Sequence, residues 1–482
     1  MNRRFSLPLV ISLAALASPA LAQHTLDPGP SHADAASVLL APEPFKTYRG
    51  YSLIHADLRD QAEFERVLAI SGDCWTERPT LELPVDFLVP PGGLDAIRAL
   101  GVTFDIVVPD MGDVVAAERA RLNGPQPRDW YADFKNLQAI SDKVDELVAL
   151  RPDIVSRFNV GPSLENRTIF GFRIESPTSG PAGTLKPVMY IHSTQHAREW
   201  LAPMTTMYVA EQLIAGYDTD PAATAFLDKF TVIIVPVVNV DGYVYTWTTQ
   251  RLWRKNRRSN ANGTFGVDLN RNWSFAWGNN NGSSGSGASE TYRGTAPFSE
   301  PETAVLRDHI LSTPGITLAF DIHTYGPLIL SPWGYTASPP PILPYFNSLG
   351  LLMQSAIASI NGLTFTSGQW YSTLYPASGA NIDWWYGERN VLNWTIELRG
   401  TSFAPPPSQI LLSGPEIYAG LLALAHAYCR ADYNHDLFMN ADDYDDFVVD
   451  WIDAQPAADY DRNGFINADD FDAFVVEFEA GC

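Results

Sequence analysis

Three continuous apolar runs constrain the fold of this chain more than any other feature of its sequence. They occupy 188–191, 232–238 and 316–320, and a segment with helical spacing, 302–311, precedes the third run. Apolar runs that do not alternate with polar residues are typical of strands buried on both faces of a sheet. The pattern therefore predicts an α/β fold for 130–428, with helices on both sides of a mixed, mostly parallel sheet.

A His-x-x-Glu motif follows the first apolar run. His196 and Glu199 stand at the start of a predicted helix, 200–214, and residues three apart on a helical turn project from the same side. They can then share a zinc ion, which in catalytic sites has three protein ligands and an open position. The motif alone is a weak signal, because a glutamate there can simply offset the helix dipole beside a hydrogen-bonded histidine. Sites in such sheets lie beyond the C-terminal strand ends, so His323 is the predicted third ligand.

Further polar segments of the same region need a chemical explanation. They are the basic segment 251–258, then 266–273, 374–384 and 394–399. In the last of these, Glu397 interrupts an apolar strand, and a buried carboxylate is costly unless it is paired or functional. Glu397 is therefore either catalytic or the partner of an arginine such as Arg399.

Together and in this order, these motifs resemble the M14 zinc carboxypeptidases, the family typified by carboxypeptidase A. The resemblance covers 48–428. It implies the family's mixed, mostly parallel eight-stranded sheet flanked by helices. It also implies a secreted metallocarboxypeptidase with one catalytic Zn²⁺, which hydrolyses the last peptide bond at the C-termini of peptides and proteins.

The resemblance implies the catalytic roles residue by residue. His196, Glu199 and His323 would hold the zinc ion, with a position left for a water of lowered pKa. Glu397 would take a proton from that water and deliver it to the leaving amine. Arg254 would stabilise the oxyanion of the substrate.

Recognition of the chain end is also implied by the resemblance. Arg271 offers a two-pronged donor that fits a terminal carboxylate. Ile382 would form the base of the side-chain pocket and favour hydrophobic or aromatic C-terminal residues, and the bulk of Trp370 would narrow that pocket. The residues assigned to substrate binding are Asn270, Arg271, Tyr375, Ile382 and Arg198. The other uncharged residues of the pocket wall are Gly334, Ala377, Ala380 and Thr395. Asp268 would orient His196.

The N-terminal part of the chain predicts export and latency. Residues 1–22 have a charged start, an apolar run and an A-x-A site, which predict a signal peptide, and 23–47 is a linker. The strand-helix-strand-helix-strand pattern of 48–118 predicts a small α+β module that resembles the family's ferredoxin-like activation propeptide; an unrelated domain is the alternative. The segment 119–129 would be a hinge cut by an activating protease. Its arginines are Arg119, Arg121 and Arg128.

The acidic C-terminal tail, 429–482, contains two similar stretches that start 27 residues apart. Each has oxygen-bearing residues at positions 1, 3, 5, 9 and 12, the ligand pattern of a calcium loop, and an apolar helix face follows. The tail resembles a dockerin, a small α-helical EF-hand-like module with up to two structural Ca²⁺ ions. Leu437 replaces the usual turn glycine of the first loop. The predicted ligands are Asp432, Asn434, Asp436, Asn440 and Asp443, then Asp459, Asp461, Asn463, Asn467 and Asp470.

The dockerin resemblance implies a cohesin-like or cell-surface partner. However, Ala441-Asp442 and Ala468-Asp469 replace the Ser-Thr pairs by which many dockerins grip cohesin, so an intramolecular role is the alternative. Cys429 and Cys482 bracket the tail and could close it as a loop, which would leave Cys74 unpaired.

The net charge of −23 excludes nucleic acid as a partner, because its binding needs a basic face. No stretch after the signal peptide reads as a membrane span, so we expect an exported monomer. Two other classes of function stay open: a protein that binds peptide ends without cutting them, and a scaffold component anchored by its tail. Within enzymes, a deacylase or esterase acting on N-acyl amino acids is a further alternative.

Overall fold

The computed structural model describes residues 44–76, 84–125, 127–178, 186–279, 281–462 and 464–481. These residues belong to one compact unit that begins at Pro44. The predicted signal peptide, the linker up to residue 43, the calcium ligand Asn463 and the cysteine Cys482 lie outside the described residues.

A module with a three-stranded antiparallel sheet comes first along the described chain. Its strands are β1 (Ser52–Asp57), β2 (Val85–Val89) and β3 (Thr103–Val108), and its first two helices are α1 (Gln61–Ser71) and α2 (Gly93–Ala99). The strand order is β2-β1-β3. Apolar side chains of the strands, such as Ile54 and Phe87, pack against Val67 of α1 and Ile97 of α2 to form the core of this module.

A third helix, α3 (Met111–Leu122), corrects the predicted start of the hinge. Arg119 and Arg121 lie in its last turn, and Arg121 pairs with the buried Asp133 at 2.8 Å. Composition suggested a loop because Gly and Pro follow closely, but the preceding alanines and arginines favour a helix. The loop therefore starts only after Leu122.

A mixed sheet of eight strands forms the centre of the next region. The strands are β4 (Val155–Pro162), β5 (Thr168–Ile174), β6 (Val188–Ser193), β7 (Thr231–Val235), β8 (Ile316–Thr324), β9 (Leu328–Ser331), β10 (Thr366–Gln369) and β11 (Leu392–Leu398). Their order is β10-β9-β11-β8-β6-β7-β5-β4. Four of the seven neighbouring pairs are parallel and three are antiparallel. The structure thus confirms the predicted mixed eight-stranded sheet.

Helices flank this sheet and complete its core. They are α4 (Leu137–Leu150), α5 (Leu201–Gly216), α6 (Pro221–Lys229), α7 (Val240–Thr248), α8 (Pro301–Leu311), α9 (Leu343–Asn361), α10 (Trp370–Thr373), α11 (Asn381–Arg389) and α12 (Ile410–Ala427). The stretch Pro407–Ala427 is long and apolar enough to cross a membrane, yet 50% of its apolar window is buried inside the fold. It packs against α9 and α5, which explains its apolar composition.

The described part of the tail contains two α-helices, α13 (Ala441–Ile452) and α14 (Ala468–Ala480). Each begins with a capping box, in which an asparagine and an aspartate three residues later satisfy the first backbone N–H groups. Phe447 and Phe474 stack between the helices with ring centroids 4.0 Å apart. Cys429 is disulfide-bonded and Cys74 is a free thiol.

Candidate active site

Three potential metal ligands meet at the C-terminal end of the central strands. His196 and Glu199 follow β6, and His323 lies near the end of β8. His196 Nδ1 lies 2.8 Å from Glu199 Oε1 and 3.1 Å from His323 Nδ1, and His323 Nδ1 lies 3.0 Å from Glu199 Oε2. All three side chains are buried. Two imidazole nitrogens and one carboxylate that converge in this way are a donor set suited to Zn²⁺.

The backbone places His196 and Glu199 differently from the prediction. Helix α5 begins only at Leu201, so neither residue lies on a helical turn. They lie instead in a tight turn, in which the N–H of Glu199 donates to the carbonyl of His196 at 3.3 Å. Such a turn also brings its first and fourth residues together, which is why the predicted convergence holds. His323 lies within β8 and not after it.

A carboxylate stands behind each histidine. Asp268 Oδ1 lies 3.0 Å from His196 Nε2, and Asp321 Oδ2 lies 2.8 Å from His323 Nε2. A hydrogen bond on the outer nitrogen fixes the tautomer and the orientation of a ligating ring. The sequence suggested Asp268 but missed Asp321. Alternation along β8 was the available signal, because residues two apart on a strand share one face.

Opposite charges alternate through this cluster. Burial favours the neutral form of Glu199, but His196 and His323 outweigh it and lower its pKa to about 2. Burial opposes the charged form of His323, yet Asp321 and Glu199 raise its pKa well above the usual value. Each buried charge therefore has an opposite neighbour within the protein.

Arg254 is fixed beside the cluster by Asp268. Its Nη2 and Nε atoms lie 3.0 and 3.3 Å from Asp268 Oδ2. Burial opposes the ionised form of Asp268, but Arg254 and His196 hold the pKa of this carboxyl well below its usual range. One carboxylate thus orients both the predicted metal ligand His196 and the arginine predicted to stabilise the oxyanion.

Asn270 adjoins the three ligands through His323, and Arg271 donates to the carbonyl of Asn270 at 2.6 Å. Arg271 Nη2 donates to the hydroxyl of Tyr375 at 3.0 Å. The Asn270 amide nitrogen lies 3.4 Å from His323 Nε2, and its oxygen accepts from the backbone N–H of Asn381 at 2.9 Å. Asn270 therefore links the ligand cluster to the first residue of α11.

Tyr375 is part of a buried apolar cluster. Its fully buried members are Leu330, Trp370, Tyr375, Ala377, Ala380 and Ile382. The Trp370 ring meets the Tyr375 ring edge to face with centroids 5.7 Å apart. Gly334 lies against this ring, because a Cβ added at Gly334 would be in van der Waals contact with Trp370 Cγ at 3.4 Å. Next to Ile382, burial raises the pKa of Asp383 to about 7, although the N–H groups of residues 334 and 335 oppose this shift.

Glu397 lies on β11 directly beside His323 in the parallel register with β8. It is 5% exposed. Arg399, the partner considered from the sequence, pairs with Glu416 at 2.7 Å. A cavity of about 310 Å³ opens at Glu397, and its other walls include Trp75 of the N-terminal module.

The N-terminal module engages residues around this cavity. Arg198 Nη1 lies 3.2 Å from Asp73 Oδ2, and the Tyr325 hydroxyl donates to Asp86 at 2.6 Å. The buried pair Arg251 and Glu118 adds a contact of 2.6 Å. Sequence reasoning missed these module carboxylates, although Asp86 interrupts an apolar strand as Glu397 does. The predicted substrate-binding residue Arg198 is thus occupied by the module.

The second tail loop contains a separate acidic cluster. Side-chain oxygens of Asp459, Asp461 and Asp470 all lie within 4.8 Å of one another. Asp459 Oδ1 is buried and has no hydrogen-bond partner among the described residues. In the first loop, burial raises the pKa of Asp432 to about 6, and the negative charges of Asp443 and Asp436 raise it further while backbone N–H groups oppose the shift.

The remaining predicted calcium ligands lie in the same loops. Asn440 and Asn467 cap α13 and α14 through their side-chain oxygens. Asn434 Oδ1 accepts from the N–H of Asp436 at 3.0 Å. Asn463 lies outside the described residues.

Comparison with known proteins gives consistent matches. The sequence profile of the family described as zinc carboxypeptidase matches residues 140–419. The chain is 31% identical to carboxypeptidase A1 of Rattus norvegicus over 79% of its own length and 94% of that protein. It is 30% identical to a metallocarboxypeptidase A-like protein of Trichophyton verrucosum over 80% of its own length and 94% of that protein.

Solved structures give the same picture. Carboxypeptidase A from Helicoverpa armigera superimposes with a TM-score of 0.68 and 27% identity, covering 79% of this chain and 97% of that one. Thrombin activatable fibrinolysis inhibitor superimposes with a TM-score of 0.71 and 25% identity, covering 79% of this chain and 98% of that one.

Proposed function

The chain belongs to the zinc carboxypeptidase family and is a zinc metallocarboxypeptidase, and from this premise we propose that it is exported as a zymogen and removes hydrophobic C-terminal residues. One observation carries the site assignment: Arg271 and its partner Tyr375 lie beside the convergent donors of His196, Glu199 and His323. A cation-holding cluster next to a buried guanidinium suits cleavage at a terminal carboxylate.

In this proposal the chain's own residues move the proton and bind the charge that develops. A zinc ion held by the three donors supplies Lewis acidity and an acidified water. Glu397, next to His323, holds the transferred proton on its carboxylate and returns it to the nitrogen of the leaving amine. Arg254 donates N–H groups to the developing oxyanion, and Asp268 orients its guanidinium in advance.

Arg271 selects a chain end. Its guanidinium presents two N–H groups in the fork that fits a carboxylate, a geometry that lysine lacks. Asn270, the chain neighbour of Arg271, adds an amide whose nitrogen lies 3.4 Å from His323 Nε2. The hydroxyl of Tyr375 already bonds to Arg271, so it stands where it can close over a bound terminus. An internal peptide bond offers no carboxylate to this site.

The apolar cluster supports a preference for hydrophobic C-terminal residues. Ile382, Ala377 and Ala380 bring no charge to the wall. Trp370 is bulky and 1% exposed, so it limits the size of the side chain that fits. We therefore expect aliphatic residues such as leucine to be released faster than arginine, and tryptophan to fit poorly.

The contacts of the N-terminal module support latency. Asp73 and Asp86 bind Arg198 and Tyr325 next to the cavity at Glu397. A peptide that reached Glu397 from this side would have to displace those contacts. Cleavage after Leu122, for example at the exposed Arg128, would release the module.

The tail loops support calcium binding. Three carboxylates lie within 4.8 Å of one another, and one of them, Asp459, has a buried oxygen with no hydrogen bond to any residue that the structure describes. Such a group fits a hard divalent cation with oxygen ligands. Export to a calcium-rich medium would keep such loops loaded, and the charged and apolar start of the sequence supports export.

One experiment tests the central proposal. The purified full chain is assayed for zinc by metal analysis and for release of Leu, Phe and Arg from matched peptides, before and after mild trypsin. We expect about one zinc per chain, activation by trypsin, and release of Leu ahead of Arg. Glu397→Gln should retain zinc and lose about 10²- to 10⁴-fold in rate.

Each outcome bears on a different part of the proposal. Absence of zinc, or full activity of Glu397→Gln, contradicts the site assignment. Equal rates before and after trypsin contradict latency, and faster release of Arg contradicts the preference. Retention of the peptide without cleavage by the trypsin-treated wild type would favour a binding protein.

A further inference from the structure

The two tail loops touch the main domain through equivalent residues. His435 and Arg462 are the fourth residues of their loops and correspond to each other in the repeat. Both have a left-handed backbone, with φ of 61° and 57°. Residues other than glycine rarely adopt this backbone conformation, so contacts of the surrounding loop have to stabilise it.

Arg462 reaches the C-terminal end of helix α11. Its Nη1 atom donates to the carbonyls of Arg389 at 3.2 Å and Asn390 at 3.1 Å. Arg389 is the last residue of α11 and Asn390 is its C-cap. Carbonyls at a helix C-terminus have no partner within the helix, and a positive charge there is favourable. Arg462 therefore caps α11 from outside.

His435 makes the second contact. Its ring meets Tyr345 of α9 edge to face, with centroids 4.8 Å apart. The first loop thus adds an aromatic contact to the polar contact of the second loop.

The other end of α11 belongs to the candidate active site. The N–H of Asn381 donates to Asn270 Oδ1, and the next residue, Ile382, is part of the apolar wall. A single helix of nine residues therefore connects the tail loop to the pocket residue. Its N-terminal end is fixed by the active site and its C-terminal end by Arg462.

We infer that the partner of the tail is the catalytic domain of this same chain, and that the tail acts as a calcium-dependent brace on helix α11. The calcium dependence rests on the proposed loading of the loops. Without a cation, the carboxylates of Asp459, Asp461 and Asp470 repel one another, and the loop loses the closure that keeps Arg462 in place. With a cation, the loop presents Arg462 to the end of α11.

Hydrogen exchange of the full-length chain, read by mass spectrometry in calcium and in EGTA, tests this brace. The variants are Arg462→Ala and, as a matched control, Phe465→Ala, which alters a 73% exposed residue of the same loop. In calcium, we expect amides of 385–391 to exchange about 10- to 100-fold faster in Arg462→Ala than in wild type, because hydrogen bonds from a charged donor are lost. Phe465→Ala should behave as wild type, and EGTA should make wild type resemble Arg462→Ala.

Calorimetric titration with calcium separates the two ideas. If wild type binds calcium but 385–391 exchange equally in calcium and EGTA, the calcium-dependent brace is overturned. If no calcium binds, the proposed loading fails, and the comparison of Arg462→Ala with Phe465→Ala alone decides whether the tail braces α11. Equal exchange in those two variants overturns the docking itself. Partial protection in Arg462→Lys, which keeps the cation but loses the fork, would support the capping role.

Discussion

The proposed zinc centre, formed by His196, Glu199 and His323, and the acidic loops of the tail are two carboxylate-rich clusters whose charges are balanced in opposite ways. At the zinc centre, Glu199 lies between two imidazoles and its pKa falls to about 2, although burial opposes ionisation. In the first tail loop, burial and neighbouring carboxylates raise the pKa of Asp432 to about 6. One cluster is neutralised by the protein, and the other contains an excess of negative charge.

We therefore expect the three zinc-binding side chains to be in place before the ion binds, and the proposed calcium loops to become fully ordered only with their ion. Donors that are oriented by Asp268 and Asp321 hold their positions through hydrogen bonds with other side chains. The loop acids are held mainly by backbone N–H groups, and Asp459 retains a buried oxygen without a hydrogen bond among the described residues. We therefore expect structural changes on ion removal in the tail and not at the zinc centre.

The largest expected effect comes from breaking the balance at the zinc centre. Asp268→Ala removes the carboxylate that pairs with Arg254 and His196, so the buried positive charge of Arg254 is left uncompensated. Removing one partner of a buried charge network costs about 3–5 kcal/mol of unfolding free energy, and loss of a carboxylate behind a ligating histidine weakens metal binding about 10- to 100-fold. Urea unfolding and zinc dialysis measure these changes.

The matched control is Asp142→Ala, an exposed aspartate on α4. It should change the unfolding free energy by less than about 0.5 kcal/mol, as is usual for surface substitutions. If Asp268→Ala were as stable and as rich in zinc as this control, the internal balance described above would be wrong.

Removal of each ion in turn tests the contrast directly. Taking calcium from a hundredfold excess over its Kd withdraws about 3 kcal/mol from the tail, so amides of 432–443 should exchange roughly 100-fold faster. Removal of zinc with a selective chelator should leave exchange at 194–199 nearly unchanged, because neighbouring side chains hold the donors. The reverse result, an intact tail and a loosened turn at His196, would contradict the comparison.

The apolar wall around Trp370 is a further preformed part of the proposed site, and we expect it to set the size of the C-terminal side chain that fits. Trp370→Ala should enlarge the pocket and raise kcat/KM for peptides that end in Phe or Trp relative to Leu by about 10- to 200-fold, or 1–3 kcal/mol. Trp370→Phe keeps most of the bulk and serves as the control, with a smaller shift. The measurement is kcat/KM for peptides that end in Leu, Phe and Trp. An unchanged ratio in Trp370→Ala would show that Trp370 does not line the specificity pocket.

The smallest expected effect sharpens the comparison within the tail. Leu437 has φ of 75° where the second loop has Gly464 with φ of 91°. Leu437→Gly should stabilise the first loop by about 0.5–1 kcal/mol, because relief of left-handed strain exceeds the entropy cost of glycine. Gly464→Leu should do the opposite in the second loop. Calcium-dependent melting of both variants measures this, and equal melting temperatures would show that the turn tolerates leucine.

The amino-acid sequence by itself determined the central sheet and the convergence of His196, Glu199 and His323. Its apolar runs predicted buried strands, and their order predicted that His196 and His323 would meet at one sheet edge. These signals are local, since burial on both faces and the position of a histidine at a strand end are visible within a few residues.

Only the tertiary structure decided which polar residues that are far apart in the chain contact each other. Asp73 and Asp86 could not be matched to Arg198 and Tyr325 from the sequence, and neither could Arg462 to the end of α11. Each of these contacts joins segments that are far apart along the chain, so its geometry depends on how the modules pack. The predicted start of the hinge was wrong for a related reason. Arg121 lies in the last turn of α3 and forms an ion pair with Asp133, a contact that composition does not reveal.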